Sequence, residues 1–366
     1  MFLKELSLLN FKNYQEANIS FTKQINCFVG NNGEGKTNLL DAIYYLSFCK
    51  SFFNPIDSNH ILDSAPFLVI QGTFVINDTT DEIYCGLKRN EKKQFKRNKK
   101  EYSRLSDHIG LYPLVMVSPV DINIINEGSD IRRKFIDSIV SQYNKEYLNN
   151  LIKYNKVLAH RNALLKKNAE LRYFDFEILE IWDIQLIELA SLIFKERKVF
   201  LEEFTVIFYK YYNFISSSKE DISLSYDSSL INEDFGLLLK KNYAKDHAAQ
   251  YTTCGVHKDD LFFFIAEKSL KKFGSQGQQK SYLLALKLAQ FDILKKNKNT
   301  TPILLLDDIY DRLDEIRIKQ LLELVNGGNF GQVFITDTHS DRLAKILKSV
   351  KADYSVFIIE NGKIQN

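Results

Sequence analysis

A chain of 366 residues with 45% hydrophobic and 13% aromatic residues has ample material for a buried core, which excludes global disorder. Its length points to two domains, or to one large domain carrying an insertion. A net charge of only +3 means that whole-chain electrostatics do not announce a nucleic-acid binder, so any such binding must come from local patches. Cys27, Cys49, Cys85 and Cys254 are scattered, without a Cys-x-x-Cys or a Cys/His cluster, and so support neither structural zinc nor a disulfide framework. The N-terminus lacks the basic and then apolar pattern of a signal peptide. The longest apolar run, Leu261 to Ala266, is far too short to cross a bilayer. A cytosolic protein with no membrane partner is expected.

Residues 1 to 30 alternate as β structure: Leu3, Leu6 and Leu8, then Ile19, Phe21, Ile25 and Phe28. Between them Leu9-Asn10-Phe11-Lys12-Asn13-Tyr14 reads as an ordinary polar loop. The apolar run Ile25 to Val29 then feeds Gly30-Asn31-Asn32-Gly33-Glu34-Gly35-Lys36-Thr37, which leads into the helical pattern from Asn38 to Leu46. Strand, glycine-rich turn and helix at this spacing form a phosphate-binding P-loop. Glycines let the backbone curl until successive N–H groups converge on one anion, and the helix adds its positive dipole end. Lys36 supplies a mobile charge for the outer phosphates and Thr37 a hydroxyl ligand for Mg²⁺. A nucleoside triphosphate site is expected here.

Strands are expected at 67–76 and 82–87, with a polar turn at 77 to 81. Eight basic residues follow within 88 to 100, opposed only by Glu91, on what reads as a β-hairpin or small meander with basic tips. Lysines there serve either to protect a sheet edge or to contact nucleic-acid phosphates. From Ile131 to Leu158 apolar residues recur almost every four positions, as in an amphipathic helix. After a break near 168 to 174, a second helix is expected over 176 to 214. The two make a helical hairpin or short arm, since no heptads run far enough for a long coiled coil. β signals return at 222–226, a helix at about 232 to 250, and buried central strands at 303–306 and 333–335.

A P-loop needs a carboxylate for its metal at the end of a buried strand. Ile303-Leu304-Leu305-Leu306-Asp307-Asp308 supplies one: Asp307 for Mg²⁺, and Asp308 to polarise the attacking water. The short reach of Asp308 compared with a glutamate implies slow hydrolysis. Ser275-Gln276-Gly277-Gln278-Gln279-Lys280, just before a helix expected at 281 to 294, offers a hydroxyl and free N–H groups as a second anion site. P-loop, Ser-x-Gly-Gln loop and Asp pair stand in the order of an ABC-type ATPase. In that class two protomers face each other and each signature loop completes the other's nucleotide site. Asp311 to Asp314 then falls at the interface loop, and His339 where the class carries its γ-phosphate switch histidine.

These motifs resemble those of the RecF family, bacterial recombination and gap-repair ATPases related to SMC heads. Leu9 to Tyr14, the P-loop continuation Asn38-Leu39-Leu40-Asp41-Ala42-Ile43, His160 to Leu165, Gly255-Val256-His257-Lys258-Asp259-Asp260-Leu261 and Ser275 to Lys280 carry the resemblance across nearly the whole chain. It implies an α/β ABC/SMC-type head, from 1–120 and 250–366, with an inserted mainly helical arm at 121–249. It implies ATP and Mg²⁺ as cofactors, an ATP-dependent homodimer that grips double-stranded DNA, and single-stranded gaps engaged with partners. RecR, RecO and RecA are the implied protein partners, in replication restart and the SOS response. A transporter ATPase subunit would lack the helical arm and bind a membrane partner. An SMC clamp would need a far longer coiled coil, and an ATP-gated nuclease would need a further acidic metal-binding domain. The roles of His257 and Lys258, as nucleotide contacts, DNA contacts or turn holders, stay open at this level.

Overall fold

The computed structural model describes residues 1–171, 176–216, 220–308, 330–338 and 353–365. In chain order the strands and helices begin with β1 (Phe2–Phe11), β2 (Tyr14–Ser20), β3 (Ile25–Val29), α1 (Lys36–Phe48), β4 (Phe67–Ile76), β5 (Thr79–Lys88), β6 (Gln94–Arg97), β7 (Lys100–Glu101) and β8 (Leu114–Val117). They continue with α2 (Asn123–Asn126), α3 (Ser129–Tyr143), α4 (Lys145–Leu171), α5 (Phe176–Ser216), β9 (Ile222–Asp227), α6 (Phe235–Ala249), β10 (Asp260–Ile265), β11 (Lys268–Ser269) and α7 (Leu270–Phe273). Last come α8 (Gln276–Lys298), β12 (Ile303–Leu306), β13 (Val333–Asp337), β14 (Tyr354–Glu360) and β15 (Lys363–Gln365). Contacts divide the chain into two compact units, Met1–Asp121 with Lys280–Asn366, and Ile122–Gln279. The second unit therefore reaches beyond the 249 boundary expected from the sequence, because β9, within the insertion, pairs antiparallel with β10, beyond it.

The first unit holds two six-stranded sheets. One is antiparallel, in the order β2-β1-β4-β5-β6-β7. The other has the order β15-β14-β3-β13-β12-β8, and only its β14–β15 pairing is antiparallel. β3, β8, β12 and β13 are buried along their whole length, as unalternating apolar runs in a parallel sheet should be. Phe28, Phe334 and Phe357 from three adjacent strands meet Phe21 in one ring cluster, the closest pair 4.9 Å apart and edge-on. The turn between β4 and β5 is tighter than the sequence suggested: only Asn77 and Asp78 lie outside the ladder, both at positive φ (46° and 62°). Asn and Asp tolerate that region, which a two-residue hairpin demands.

In the second unit the helix expected to run unbroken from 131 to 158 is two helices. Asn144 interrupts it with extended backbone (φ −115°, ψ 100°), and its Oδ1 accepts the Tyr147 N–H at 2.9 Å as the cap of α4. The apolar period carries through the break, which is why spacing alone hides it. Two buried arginines tie this unit together. Arg161 on α4 reaches Asp183 on α5 at 2.6 Å and Asp246 on α6 at 2.7 Å. Arg197 on α5 reaches Asp137 on α3 at 2.9 Å and Asp259, just before β10, at 2.8 Å. Removing one partner of such a pair leaves a buried charge and costs about 3–5 kcal/mol.

The segment Gly255 to Leu261 is thus the knot of the second unit. His257 lies within it as a neutral ring: Nε2–H donates to the Thr252 carbonyl at 3.0 Å, and Nδ1 accepts from the Tyr154 hydroxyl at 2.7 Å. His108 in the first unit repeats this arrangement with the Leu46 carbonyl (2.6 Å) and the Tyr102 hydroxyl (3.0 Å). Burial lowers both imidazoles from 6.5 to about 4. The unfolded chain therefore binds more protons than the folded one between those values, so their stability contribution is complete above pH 6.5 and is lost as pH falls toward 4. We expect the unfolding free energy from urea titrations to fall from pH 6.5 to 5, by up to about 1.4 kcal/mol per pH unit for each ring, and this profile to flatten in His108→Asn/His257→Asn. An equally steep profile in that double variant would remove the histidines as its source.

Candidate nucleotide site

The P-loop leaves the carboxyl end of β3, a strand flanked by β13 and β14, at the edge where parallel sheets place their ligands. Two glycines are forced by packing. A Cβ on Gly30 would lie 2.2 Å from the Ile359 carbonyl oxygen. Gly35, at φ 114°, caps α1, and a Cβ there would lie 2.5 Å from Asn13 Nδ2 and 2.9 Å from the Tyr14 hydroxyl. Asn31, Asn32 and Gly33 form the exposed rim, with Glu34 half-buried behind them. Lys36 is buried, and its ammonium donates to the Gly30 and Asn31 carbonyls at 2.8 Å each. The loop therefore positions its own cation.

Asp307 directly follows β12, and the Thr37 hydroxyl donates to its Oδ1 at 2.9 Å. Thr336 on the intervening β13 donates to the same oxygen at 3.0 Å and accepts the Asp308 N–H at 2.8 Å. Burial pushes the Asp307 carboxyl up to about 6; the Thr37 hydrogen bond opposes that push and the neighbouring Asp308 adds to it. A divalent cation bound there would favour the carboxylate. Thr37 and Asp307 present hard oxygens close enough to share one Mg²⁺, an ion that takes one or two carboxylates and completes its shell with phosphate and water. Among the described residues no group of three or more His, Cys, Asp or Glu forms a metal cluster. Asp308 sits just beyond, half-buried, at φ 44°.

Lys36, Thr37, Asp307 and Asp308 are thus brought together at one sheet edge. The loop of Ser275, Gln276, Gly277 and Gln278 belongs to the second unit, and there the helix starts earlier than expected. A capping box begins it at Gln276: the Ser275 N–H donates to Gln278 Oε1 at 2.8 Å, and the Gln278 N–H donates to Ser275 Oγ at 3.2 Å. Gln276 to Gln278 therefore form the first turn of α8. Asp311 to Asp314 and His339 lie outside the described residues.

The residues that hold the P-loop were the ones spacing could not reveal. Asn13 Nδ2 donates to the Glu34 carbonyl at 2.9 Å, and Asn38 Nδ2 donates to Asn13 Oδ1 at 2.8 Å. The Tyr14 hydroxyl donates to the Gly35 carbonyl at 3.1 Å. From the far end of the chain, the β14–β15 turn sends the Gly362 N–H to the Glu34 carbonyl at 3.1 Å and the Asn361 N–H to the Glu34 carboxylate. Asp41 on α1 collects Lys12 (2.5 Å), the Ser51 hydroxyl (2.7 Å) and the Phe52 N–H (2.8 Å), fixing the loop after the helix.

The basic run at 88–100 takes the meander form of the expectation, β5-β6-β7 paired in succession, but half of its charge is spent internally. Lys93 is held by Asp57 at 2.7 Å and the Cys49 carbonyl at 2.5 Å. Arg97 pairs with Asp81 at 2.8 Å, Arg89 donates to the Ala65 carbonyl at 3.2 Å, and Lys88 lies 3.6 Å from Glu91. Lys92, Lys99 and Lys100 are exposed, and Lys96 lies over the Tyr84 ring.

A family profile described as RecF/RecN/SMC N terminal domain matches residues 2–365. A DNA replication and repair protein RecF of Phocaeicola vulgatus is 52% identical over 366 residues, covering 100% of this chain and 98% of the relative. That of Flavobacterium johnsoniae is 51% identical, covering 98% of this chain and 99% of the relative. Among solved structures, the recombination mediator protein RecF with ATP in the RecFOR pathway superposes with a TM-score of 0.89 at 31% identity, covering 100% of this chain and 97% of that one. An Smc head from Pyrococcus furiosus shares the fold, with a TM-score of 0.58 at 18% identity, 100% of this chain and 95% of that one. The architecture is that of an ABC/SMC-type ATPase head.

Proposed function

Because the chain belongs to the RecF family, we propose that it is an ATP-dependent DNA-binding protein of recombinational gap repair and replication restart, one that helps load RecA with RecR and RecO and supports the SOS response. The observation that carries this reading is the convergence of Lys36, Thr37, Asp307 and Asp308, with Thr37 only 2.9 Å from Asp307. Bound ATP-Mg²⁺ supplies the phosphoanhydride and the charge that draws two protomers together. Backbone N–H groups of Gly30 to Gly35 and the Lys36 ammonium hold the phosphates. Thr37 and Asp307 hold the metal, and Asp308 orients the attacking water, with His339 as the switch histidine. Ser275 uses its hydroxyl oxygen as the acceptor of the α8 cap, so the O–H itself is left to donate to the nucleotide of the partner protomer. Hydrolysis is weak and stimulated by DNA, and it releases the dimer: the protein acts as a switch in the cytoplasm, not as a motor.

Duplex DNA is gripped in part by the outward lysines of the 88–100 hairpin. The test is duplex affinity against salt for Lys96→Gln/Lys99→Gln/Lys100→Gln, leaving Arg97 in place because it anchors Asp81. Losing three phosphate contacts should flatten the log–log slope by about 2.7. An unchanged slope would take the hairpin out of the DNA interface.

A further inference from the structure

The cap at the start of α8 is anchored from 58 residues upstream. Within the capping box Gln278 already uses two of its polar groups: its backbone N–H donates to Ser275 Oγ at 3.2 Å, and its Oε1 accepts the Ser275 N–H at 2.8 Å. The amide NH₂ at the tip of the same side chain donates to Glu220 Oε1 at 2.8 Å. The other oxygen of that carboxylate accepts the hydroxyl of Tyr212, a buried residue of α5. Glu220 lies two residues before β9, and its backbone is held there. The Asp221 carbonyl accepts the Ala266 N–H at 2.8 Å, beside the Ile222–Ile265 pair of β9 and β10. Tyr212, Glu220, Ser275 and Gln278 all belong to the second unit. Burial divides the loop: Ser275 and Gln276 are exposed, whereas Gln278 and Glu220 are half-buried. An amide that faces its own chain at both ends does not serve a partner directly. It fixes where Ser275 stands.

We infer that Glu220 is a positioning residue for the ATP-driven dimer: by gripping Gln278 it holds the Ser275 hydroxyl and the first N–H groups of α8 where the partner's nucleotide meets them. The inference rests on the reading above in which this loop completes the site of the facing protomer. Its physical basis is preorganisation. A glutamine pinned at both ends has already lost its rotamer freedom, so association does not bear that cost. A hydrogen bond to a carboxylate is also shorter and stronger than one between neutral groups. The negative charge itself does not help, since an anion beside incoming phosphates opposes them. The hydrogen bond is therefore what the site requires of Glu220.

The dimer dissociation constant of an Asp308→Asn parent, measured by sedimentation with saturating ATP-Mg²⁺, tests the role. Gln278→Glu keeps the capping box, which takes either residue at that position, but sets two carboxylates at hydrogen-bond distance. Dimerisation should weaken about tenfold, the smaller loss expected for a hydrogen bond to a charged group. Adding Glu220→Gln to the same chain restores one carboxylate and one amide, and should return the constant to within about threefold of the parent, as coupled sites require. ATP affinity of the monomer, from equilibrium dialysis of dilute protein, should be unchanged in both. The inference fails if the exchanged pair dimerises as weakly as Gln278→Glu alone, because Gln278 would then meet the partner and not Glu220. It fails equally if Gln278→Glu dimerises like the parent and loses only stability to urea, which would make the contact a brace of the second unit. Lowered ATP affinity in the monomer would overturn it by placing the effect within one protomer. A parent that stays monomeric with ATP-Mg²⁺ refutes the facing-protomer reading before any variant is compared, and this role with it.

Discussion

Lys36→Ala should bind ATP at least about a hundredfold more weakly than the wild type and show no measurable turnover. The substitution removes a buried ammonium that faces the phosphate cradle, and with it two hydrogen bonds of 2.8 Å that draw the Gly30 and Asn31 carbonyls inward. Hydrogen bonds to charged groups contribute about 1.5–3 kcal/mol each, and here both the phosphate contact and the shape of the loop depend on one group. Equilibrium dialysis gives the affinity directly. Thermal unfolding gives a second readout, because a ligand that binds only the folded state raises the midpoint with concentration. ATP should raise the wild-type midpoint and leave that of Lys36→Ala in place. Affinity within threefold of the wild type would show that Lys36 merely closes the turn.

Asp308→Asn should do the opposite to occupancy: ATP stays bound while hydrolysis falls by about 10²–10⁴-fold, the usual contribution of a positioned general base. The backbone favours this variant. Asp308 lies at φ 44° and its N–H is fixed on Thr336 Oγ1 at 2.8 Å, and asparagine adopts the left-handed region as readily as aspartate. Charge changes while position is kept. The solution mass of this variant should shift from monomer to dimer on adding ATP-Mg²⁺, and the dimer should retain short duplex DNA better than the monomer. ATP and DNA would then raise each other's affinity by the same factor, as linkage requires. A monomer under every condition would sink the reading in which each signature loop completes the partner's site, and leave the P-loop untouched.

How much of this was legible beforehand depends on the range of the contacts. The P-loop, the Asp pair, the central strands and the basic hairpin are local patterns, so residue spacing alone located them. Their supports are not local. Glu34 is held by Asn13 and by the turn at Asn361 and Gly362, from opposite ends of the chain, and no periodicity connects them. Thr336, which aligns both aspartates, reads in sequence as one more residue of a buried β strand. The long helix failed for a related reason: the apolar stripe continues across Asn144, and only the side-chain cap marks the break. The division of the hairpin's charge was also hidden, because a count of lysines cannot tell which of them face Asp57, Asp81 or solvent. His257 carries family resemblance in the sequence and a neutral packing role in the structure.

The pairing of β3 with β13 and β14 also sets an order of events during synthesis. The P-loop strand is made among the first thirty residues, yet both of its neighbours lie beyond residue 332, and the turn that clasps Glu34 comes only at 361–362. A chain growing from its N-terminus at about 5–20 residues per second carries its P-loop strand without either neighbouring strand until β13 and β14 have been made. Such a ribosome-bound chain, or a product cut short before the final hairpin, has the motif without the site. ATP binding therefore reports that β3 has been joined by both β13 and β14.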